Sequence, residues 1–522
     1  MSGHFTRRDF VKGSLSALML PSLVNQSALA ATVRQRPDWD TFKVSSSYPS
    51  YLNAIRKMRA NTNSADKNSW RFWTNVHVYH CPHSAPYFLA WHRGYLNYFE
   101  ATLRANSGNS ALVLPYWDYY KNPVIPAEFT DPNPNNPLYV SRVNNDVRGA
   151  LTLAPFSGSL TSFPRNTANA FEPSLEDFPH NPVHDIIGGV MTTMQSSMDP
   201  IFWLHHANID RLWNAWLAAG GGRAMPPRTS SYWSGIFTYA TSTPMSLPRV
   251  NTYSSQTDLG YVYQNETMPS SLPASVAAES TQMKSARVTD NGDAVQSAST
   301  TSTRRAPPRP PVGNFLLTGM RATGVDRLSL GGAVKLPLNE KSVSAKLAIQ
   351  PRGNDILQSI FKGLSTLPFG RGGNPSVQYT TVQLVLDNVR ITTLGSNGGY
   401  FYKVYANLPE GQQSLAAEET YLLGTVGAFQ LRAAKHRQMS TQARMQSHSM
   451  DMGTDSMDMS MGSMDSGIKL TFSATELLRA ISPKQISELT FSFVRVGGQN
   501  SPAGEVISVG EARLEVSNDN LD

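Results

Sequence analysis

Eleven histidines occur in the 522 residues, and eight of them fall in two short windows. One window reads His77-Val78-Tyr79-His80-Cys81-Pro82-His83 and runs on to Trp91-His92-Arg93. The other begins Pro179-His180-Asn181-Pro182-Val183-His184 and closes on Asp199-Pro200-Ile201-Phe202-Trp203-Leu204-His205-His206. Only His4, His436 and His448 stand apart. A lone histidine is ordinarily a hydrogen-bonded core residue, but this clustering is the pattern of metal ligation. Neutral imidazoles converging without carboxylates suit zinc, copper or iron and disfavour magnesium and calcium. Zinc proteolysis by a paired-histidine motif needs a glutamate directly after the first histidine. That position holds Asn181.

Helices must position these groups. His180 and His184 are four apart, so on a helix both rings point the same way, and Pro182 confines the pair to a first turn. Asp199-Pro200 reads as an N-cap followed by proline in the first turn. Ile201, Leu204, Ile209, Leu212, Trp213 and Trp216 then give that helix a broad apolar face, with His206 one turn after Phe202. Apolar and aromatic residues also recur at helical spacing from Trp91 to Leu103. Helical ligand pairs turned inward are one way to build a two-metal centre.

The rest of the chain divides by composition. Residues 266–312 are rich in Ser, Thr, Ala and Pro and end in Arg304-Arg305-Ala306-Pro307-Pro308-Arg309-Pro310-Pro311, a linker. From Phe315 the pattern is β, with candidate strands at Val377–Ile391, Tyr400–Leu408, Ile468–Phe472, Leu489–Val496 and Glu505–Val516. The expected fold class is therefore α+β: a mainly helical domain (31–265) built on a four-helix-bundle metal core, then a β-sandwich-like domain (313–522). Within the latter, residues 445–465 hold seven methionines among Asp, Ser, Gly and His448, and read as a loop whose thioethers suit copper(I).

The first 30 residues resemble a twin-arginine export signal: Thr6-Arg7-Arg8-Asp9-Phe10-Val11-Lys12, an apolar stretch from Leu15 to Val24, and Ala28-Leu29-Ala30 for cleavage. The twin-arginine machinery is then a partner, and the mature protein is periplasmic or secreted. The apolar stretch is too short to span a bilayer, and no other span is expected. The formal charge is +7 and no dense Lys/Arg cluster occurs, so no nucleic-acid partner is expected. A single cysteine, Cys81, leaves no internal disulfide.

The segments His83–Arg93 and Asp199–Arg211 resemble the two copper-binding signatures of tyrosinases, catechol oxidases and molluscan haemocyanins. Leu114-Pro115-Tyr116-Trp117-Asp118 and Tyr261-Val262-Tyr263 are similar to further motifs of that family, so the likeness covers roughly residues 34–265. It implies two copper ions that bind dioxygen between them. His83 and His92 would hold the first with His77, His80 being the alternative; His180, His184 and His206 would hold the second, with His205 beside the site. Cys81 matches the cysteine that fungal and molluscan members join to an imidazole, here His83, through a thioether.

The resemblance also implies the substrates, small phenols with dioxygen. Tyrosinases hydroxylate monophenols and oxidise o-diphenols to o-quinones; catechol oxidases do only the second; a haemocyanin-like protein only binds oxygen. Asn181 stands where the family's residue type is linked to monophenol activity, helping a glutamate to hold a water. Glu172 and Glu176 both stand at suitable spacings for that glutamate. The β-rich part resembles, through Tyr402–Glu410 and the closing strand, the C-terminal domain of plant-type polyphenol oxidases, which implies intramolecular shielding of the copper site. The side chain that would do so is not legible, nor is the oligomeric state.

Overall fold

The structure, a computed structural model, describes residues 33–167, 169–241, 245–273, 297–298, 327–349, 351–362, 379–406, 421–447, 467–481, 486 and 488–518. The expected export signal, most of the expected linker and residues 448–465 of the methionine-rich stretch lie outside them.

The first half is helical: α1 (Trp39–Phe42), α2 (Tyr48–Ala60), α3 (Trp70–His80), α4 (Phe88–Ser107), α5 (Phe171–Leu175), α6 (Asn181–Ile187) and α7 (Pro200–Ala218). Capping fixes where the long ones begin and end. The Ser69 hydroxyl accepts from the Arg71 N–H ahead of α3, and the Asp199 carboxylate accepts from the Ile201 N–H ahead of α7. Gly108 closes α4 in the left-handed region, φ 69°, where a side chain would be strained. Inside, indole and phenyl rings tie the helices together; Trp70 of α3 meets Trp203 of α7 edge-on at 6.1 Å.

Strand β1 (Arg34–Arg36) pairs in parallel with β4 (Tyr261–Tyr263), so the two ends of the helical part clasp each other. Beneath them, buried Arg36 bonds Glu100 at 2.7 Å, and both Tyr261 and Tyr263 donate to Asp210 at 2.7 Å. Arg93 joins the same carboxylate at 2.6 Å. A short hairpin, β2 (Ile236–Ala240) and β3 (Met245–Pro248), completes this half.

The second half holds β5 (Ser297–Ala298), β6 (Arg327–Leu338), β7 (Val343–Ala348), β8 (Thr381–Ile391), β9 (Tyr400–Ala406), β10 (Leu422–Gly427), β11 (Ile468–Ser473), β12 (Glu488–Gly497) and β13 (Ile507–Ser517). They form two sheets, ordered β10-β9-β12-β7 and β11-β8-β13-β6-β5, around one shared core. Inward residues alternate, as with Leu489, Phe491 and Phe493 on β12. The fold is thus α+β, a helical core followed by a sheet-rich region.

Strands β6, β7 and β10 and helices α8 (Pro351–Phe361), α9 (Ala428–Ser447) and α10 (Thr475–Ile481) were not among the expected elements. Helix α9 also takes residues 445–447, assigned above to a loop. Its sequence is rich in Ala, Gln, Arg and Met, strong helix formers. Yet Phe429, Leu431, Ala433 and Ala434 are all buried and trace no single stripe, because α9 is packed between the two halves. Periodicity cannot detect such a helix. Among the described residues, no helix is long and apolar enough to cross a membrane.

Candidate metal centre

Helix α3 ends with His77 aimed inward and His80 one turn-step round, partly exposed. The chain then turns through Cys81 and His83 into α4, which carries His92. Donor atoms of His77, Cys81, His83 and His92 lie within 4.8 Å of one another. His80 is not in this group; it lines a neighbouring cavity with Cys81, His83 and His436. The structure therefore brings His77, rather than His80, to the other two histidines.

The second group comprises His180, His184, His205 and His206, again within 4.8 Å of one another. His180 precedes α6 directly, with Pro182 in the first turn and His184 one turn on, as the sequence required. His205 and His206 come from α7. The two groups face each other across a ring stack, His92 against His206 at 4.4 Å and 23°.

Carbonyls orient the rings. Nδ1 of His77 bonds Met194 O at 2.7 Å, that of His92 bonds Phe88 O at 2.8 Å, and that of His184 bonds Met191 O at 2.7 Å. Each such ring donates from Nδ1, which leaves the Nε2 lone pair for a metal. Nε2 of His77 and of His184 is buried without a hydrogen-bond partner. Burial pushes His77 down to about 4 and His184 to about 3, and drives His83, His92, His180, His205 and His206 well below the usual range. These rings are neutral at physiological pH, the state a metal requires.

The Cys81 Sγ lies 3.2 Å from His83 Nδ1 and 3.6 Å from its Nε2, so it faces the ring carbon between them, Cε1. Burial raises this thiol well above its ordinary pKa and keeps it protonated. The same sulfur is 3.2 Å from His92 Nε2.

Glu172 and Glu176, expected to help Asn181 hold a water, are both buried, and their carboxylates accept backbone hydrogen bonds. Glu172 accepts from the N–H groups of Leu89 at 3.3 Å and Arg165 at 3.2 Å. Glu176 accepts from the Ser84 N–H at 2.5 Å and pairs with Arg165. Both glutamates thus serve backbone donors at and before the start of α4, donors with no partner inside the helix. The acid bonded to Asn181 is Asp177, whose Oδ1 accepts from the amide at 3.4 Å. The amide oxygen in turn faces His180 Nδ1 at 2.9 Å. Burial, opposed by Arg165, raises Glu172 and Glu176 to about 7 and Asp177 to about 6.

The second half reaches into this site. Phe429, first turn of α9, lies flat on His184 and edge-on to His83 at 5.1 Å. Asp185, next to His184, accepts the Phe429 N–H at 2.7 Å through Oδ1 and the Gly399 N–H at 2.7 Å through its carbonyl. Arg432 donates to Thr192 O at 3.1 Å and to Ser396 O at 2.6 Å, and Arg437 bonds Ser84 O. A Cβ on Gly427 would fall on the Asp185 carboxylate, and one on Gly398 on Thr192, so glycine permits the close approach. No motif pointed to Phe429 or Asp185; only for Asp177 was there a signal, its four-residue spacing from Asn181.

The model of the common central domain of tyrosinase matches residues 49–146 and 129–219. A tyrosinase of Hahella sp. (strain CCB-MM4) is 32% identical over 258 residues, 41% of this chain and 53% of that protein. A tyrosinase of Streptomyces glaucescens is 28% identical over 180 residues, 26% of this chain and 63% of that protein. The chloroplastic polyphenol oxidase of Malus domestica is 26% identical over 278 residues, covering 42% and 46%. The chain thus spans less than two thirds of the length of each of these relatives. A latent apple tyrosinase structure aligns over 93% of this chain and 98% of its own, at 18% identity and a TM-score of 0.49.

Proposed function

We propose that the chain is a copper-dependent phenol oxidase of the tyrosinase kind, ortho-hydroxylating monophenols and oxidising o-diphenols to o-quinones with dioxygen; the match of residues 49–219 to the common central domain of tyrosinase supports this reading. The carrying observation is the pair of facing buried histidine groups, joined by the His92–His206 stack at 4.4 Å. His77, His83 and His92 would hold one copper, and His180, His184 and His206 the other. Bound there, the copper pair supplies the oxygen-activating redox chemistry.

The chain's own residues hold the rings and handle protons. The Asn181 amide oxygen accepts the His180 Nδ1 proton and so presents Nε2 inward. Asp177 holds the amide nitrogen, which fixes which way the amide faces. With a carboxyl raised to about 6, Asp177 is poised near neutrality to take a phenolic proton as general base. The second reading is a catechol oxidase, which oxidises o-diphenols only.

Cys81 and His83 form a thioether in this reading. The thiol S–H and the ring C–H at Cε1 give way to an S–C bond; two electrons and two protons pass to dioxygen, the enzyme's own oxidant. Phe429, covering His184, makes the full chain latent until the sheet-rich region is displaced or removed. Export follows the twin-arginine route.

The test is to assay the copper-loaded chain, with and without residues 313–522, on a monophenol and its o-diphenol. No turnover by either form with copper bound overturns the enzyme reading. Diphenol turnover alone selects catechol oxidase.

A further inference from the structure

A cavity of about 390 Å³ adjoins the first histidine group. Its lining includes His83 and Trp91 beside that group, Tyr79, Tyr87 and Arg249 from elsewhere in the helical half, and Arg437 from α9. Among the described residues no aspartate or glutamate lines it. Exposed Tyr79 and Ile236 give it an apolar rim. Phe429, Ala433 and Arg437 follow one another at four-residue spacing and share a face of α9. The first meets His83 edge-on, and the other two wall the cavity. The cavity therefore lies next to the space that the Phe429 ring fills, with His83 common to both.

Arg249 directly follows β3, and its backbone N–H donates to Gly235 O at 3.0 Å, which ties it to the base of the hairpin. Its guanidinium lies over the Tyr87 ring at 4.2 Å, with the Phe237 ring at 5.5 Å. Stacking engages the flat face of the group and leaves its in-plane N–H donors to the side. No acid stands opposite it in the cavity among the described residues, and its Nε is buried without a hydrogen-bond partner. Arg437, the other guanidinium, donates to Ser84 O and belongs to α9; Arg249 belongs to the half that holds the histidines. A guanidinium without a counter-charge, set in a cavity with aromatic walls, is a site for a carboxylate. Packing accounts for the stack on Tyr87 but not for the unpartnered Nε or the lack of an acid.

We propose that Arg249 selects phenols with a short carboxylate tail: the ring takes the place of Phe429 against His184 and His83, and the tail enters the cavity and meets the guanidinium. No acid in the lining can balance an ammonium group, so a phenolic acid is preferred to the corresponding amine. The place of the ring rests on the phenol-oxidase reading; the carboxylate site does not, and the two fail in different measurements.

The copper-free full-length chain is titrated by calorimetry with dihydrocinnamate and with phenethylamine, ligands of similar shape and opposite charge. Both are smaller than the cavity, so binding does not require Phe429 to leave. The acid is expected to bind about tenfold more tightly than the amine. Arg249→Gln is expected to weaken the acid about tenfold, and Arg249→Lys, which keeps the charge but not the flat fork, to lie between. In the copper-loaded full-length chain, the ratio of kcat/KM for dihydrocaffeate to that for dopamine is expected to be about tenfold and to collapse towards unity in Arg249→Gln. Cover by Phe429 lowers both rates alike and cancels in the ratio. Equal affinity for acid and amine, an acid affinity unchanged in Arg249→Gln, or a substrate ratio that this variant preserves overturns the proposal. Absence of o-diphenol turnover with copper bound, alongside acid-selective binding, overturns the phenol-oxidase reading and leaves Arg249 as a carboxylate site.

Discussion

The Phe429 ring lies flat against the His184 imidazole, centroids 4.1 Å apart and planes 12° from parallel. One residue belongs to the candidate metal centre and the other to the sheet-rich half, so this stack is where the proposed shielding would act. In Phe429→Ala the cover is lost while the fold of both halves remains. Each 1.4 kcal/mol of closure removed raises the open fraction about tenfold. Full-length Phe429→Ala should therefore turn over catechol about tenfold faster than the full-length parent, and equality of the two would dismiss Phe429 as the cover.

Asp185 holds that cover by accepting the Phe429 N–H at 2.7 Å, an N-cap given to α9 by the other half of the molecule. Removing a capping side chain costs about 1 kcal/mol. Asp185→Ala should open the full-length chain severalfold, seen as faster proteolytic release of the sheet-rich part. Asp185→Asn keeps an acceptor oxygen and should behave nearer the parent. A reversed order of the two variants would refute the cap.

If the thioether forms, the peptide containing Cys81 and His83 from copper-loaded protein is lighter by two hydrogens and resists alkylation. The same peptide from apo-protein carries a free thiol. Cys81→Ser should still bind copper, since the histidines are supplied independently. An alkylatable thiol in active, copper-loaded protein would exclude the bond.

The Asp177–Asn181–His180 chain of contacts, 3.4 and 2.9 Å, predicts a selective loss. Asp177→Asn should lower monophenol turnover by roughly a hundredfold while lowering diphenol turnover far less. The Glu172→Gln and Glu176→Gln variants should instead lose thermal stability, because those carboxylates serve backbone donors. Equal loss of both activities in Asp177→Asn would remove it from the hydroxylation step.

Acid should destabilise the copper-free protein. His77 and His184 sit at about 4 and 3 when folded, against about 6.5 unfolded. Between those values the unfolded chain binds more protons, so stability falls as pH falls. Glu172 and Glu176, raised to about 7, and Asp177, raised to about 6, act oppositely, losing stability as pH rises from about 4.5. So does Asp185, raised to about 8. The buried histidines outnumber these acids, so the melting temperature of the apo-protein should drop from pH 6.5 towards 4.5. A rise on acidification would contradict the neutral-imidazole description.

Much of the candidate metal centre was legible in the sequence because its histidines come in local pairs. His180 and His184 share a turn, and Asp199-Pro200 fixes the start of the helix that carries His206. The same local logic located five strands of the second half. It failed for α9, whose buried residues follow no stripe, and it did not separate Glu172 from Glu176, both of which the fold buries.

The sequence by itself determined the ligand types, the two histidine groups and the helices bearing them, because capping and periodicity act within a few residues. Only the tertiary structure decided that His77 rather than His80 joins the first group, that Asp177 meets Asn181, that His205 lies among the second group, and that Phe429 covers His184. Those are contacts between segments distant in the chain or choices between neighbouring faces of one helix, and packing of the whole core sets them.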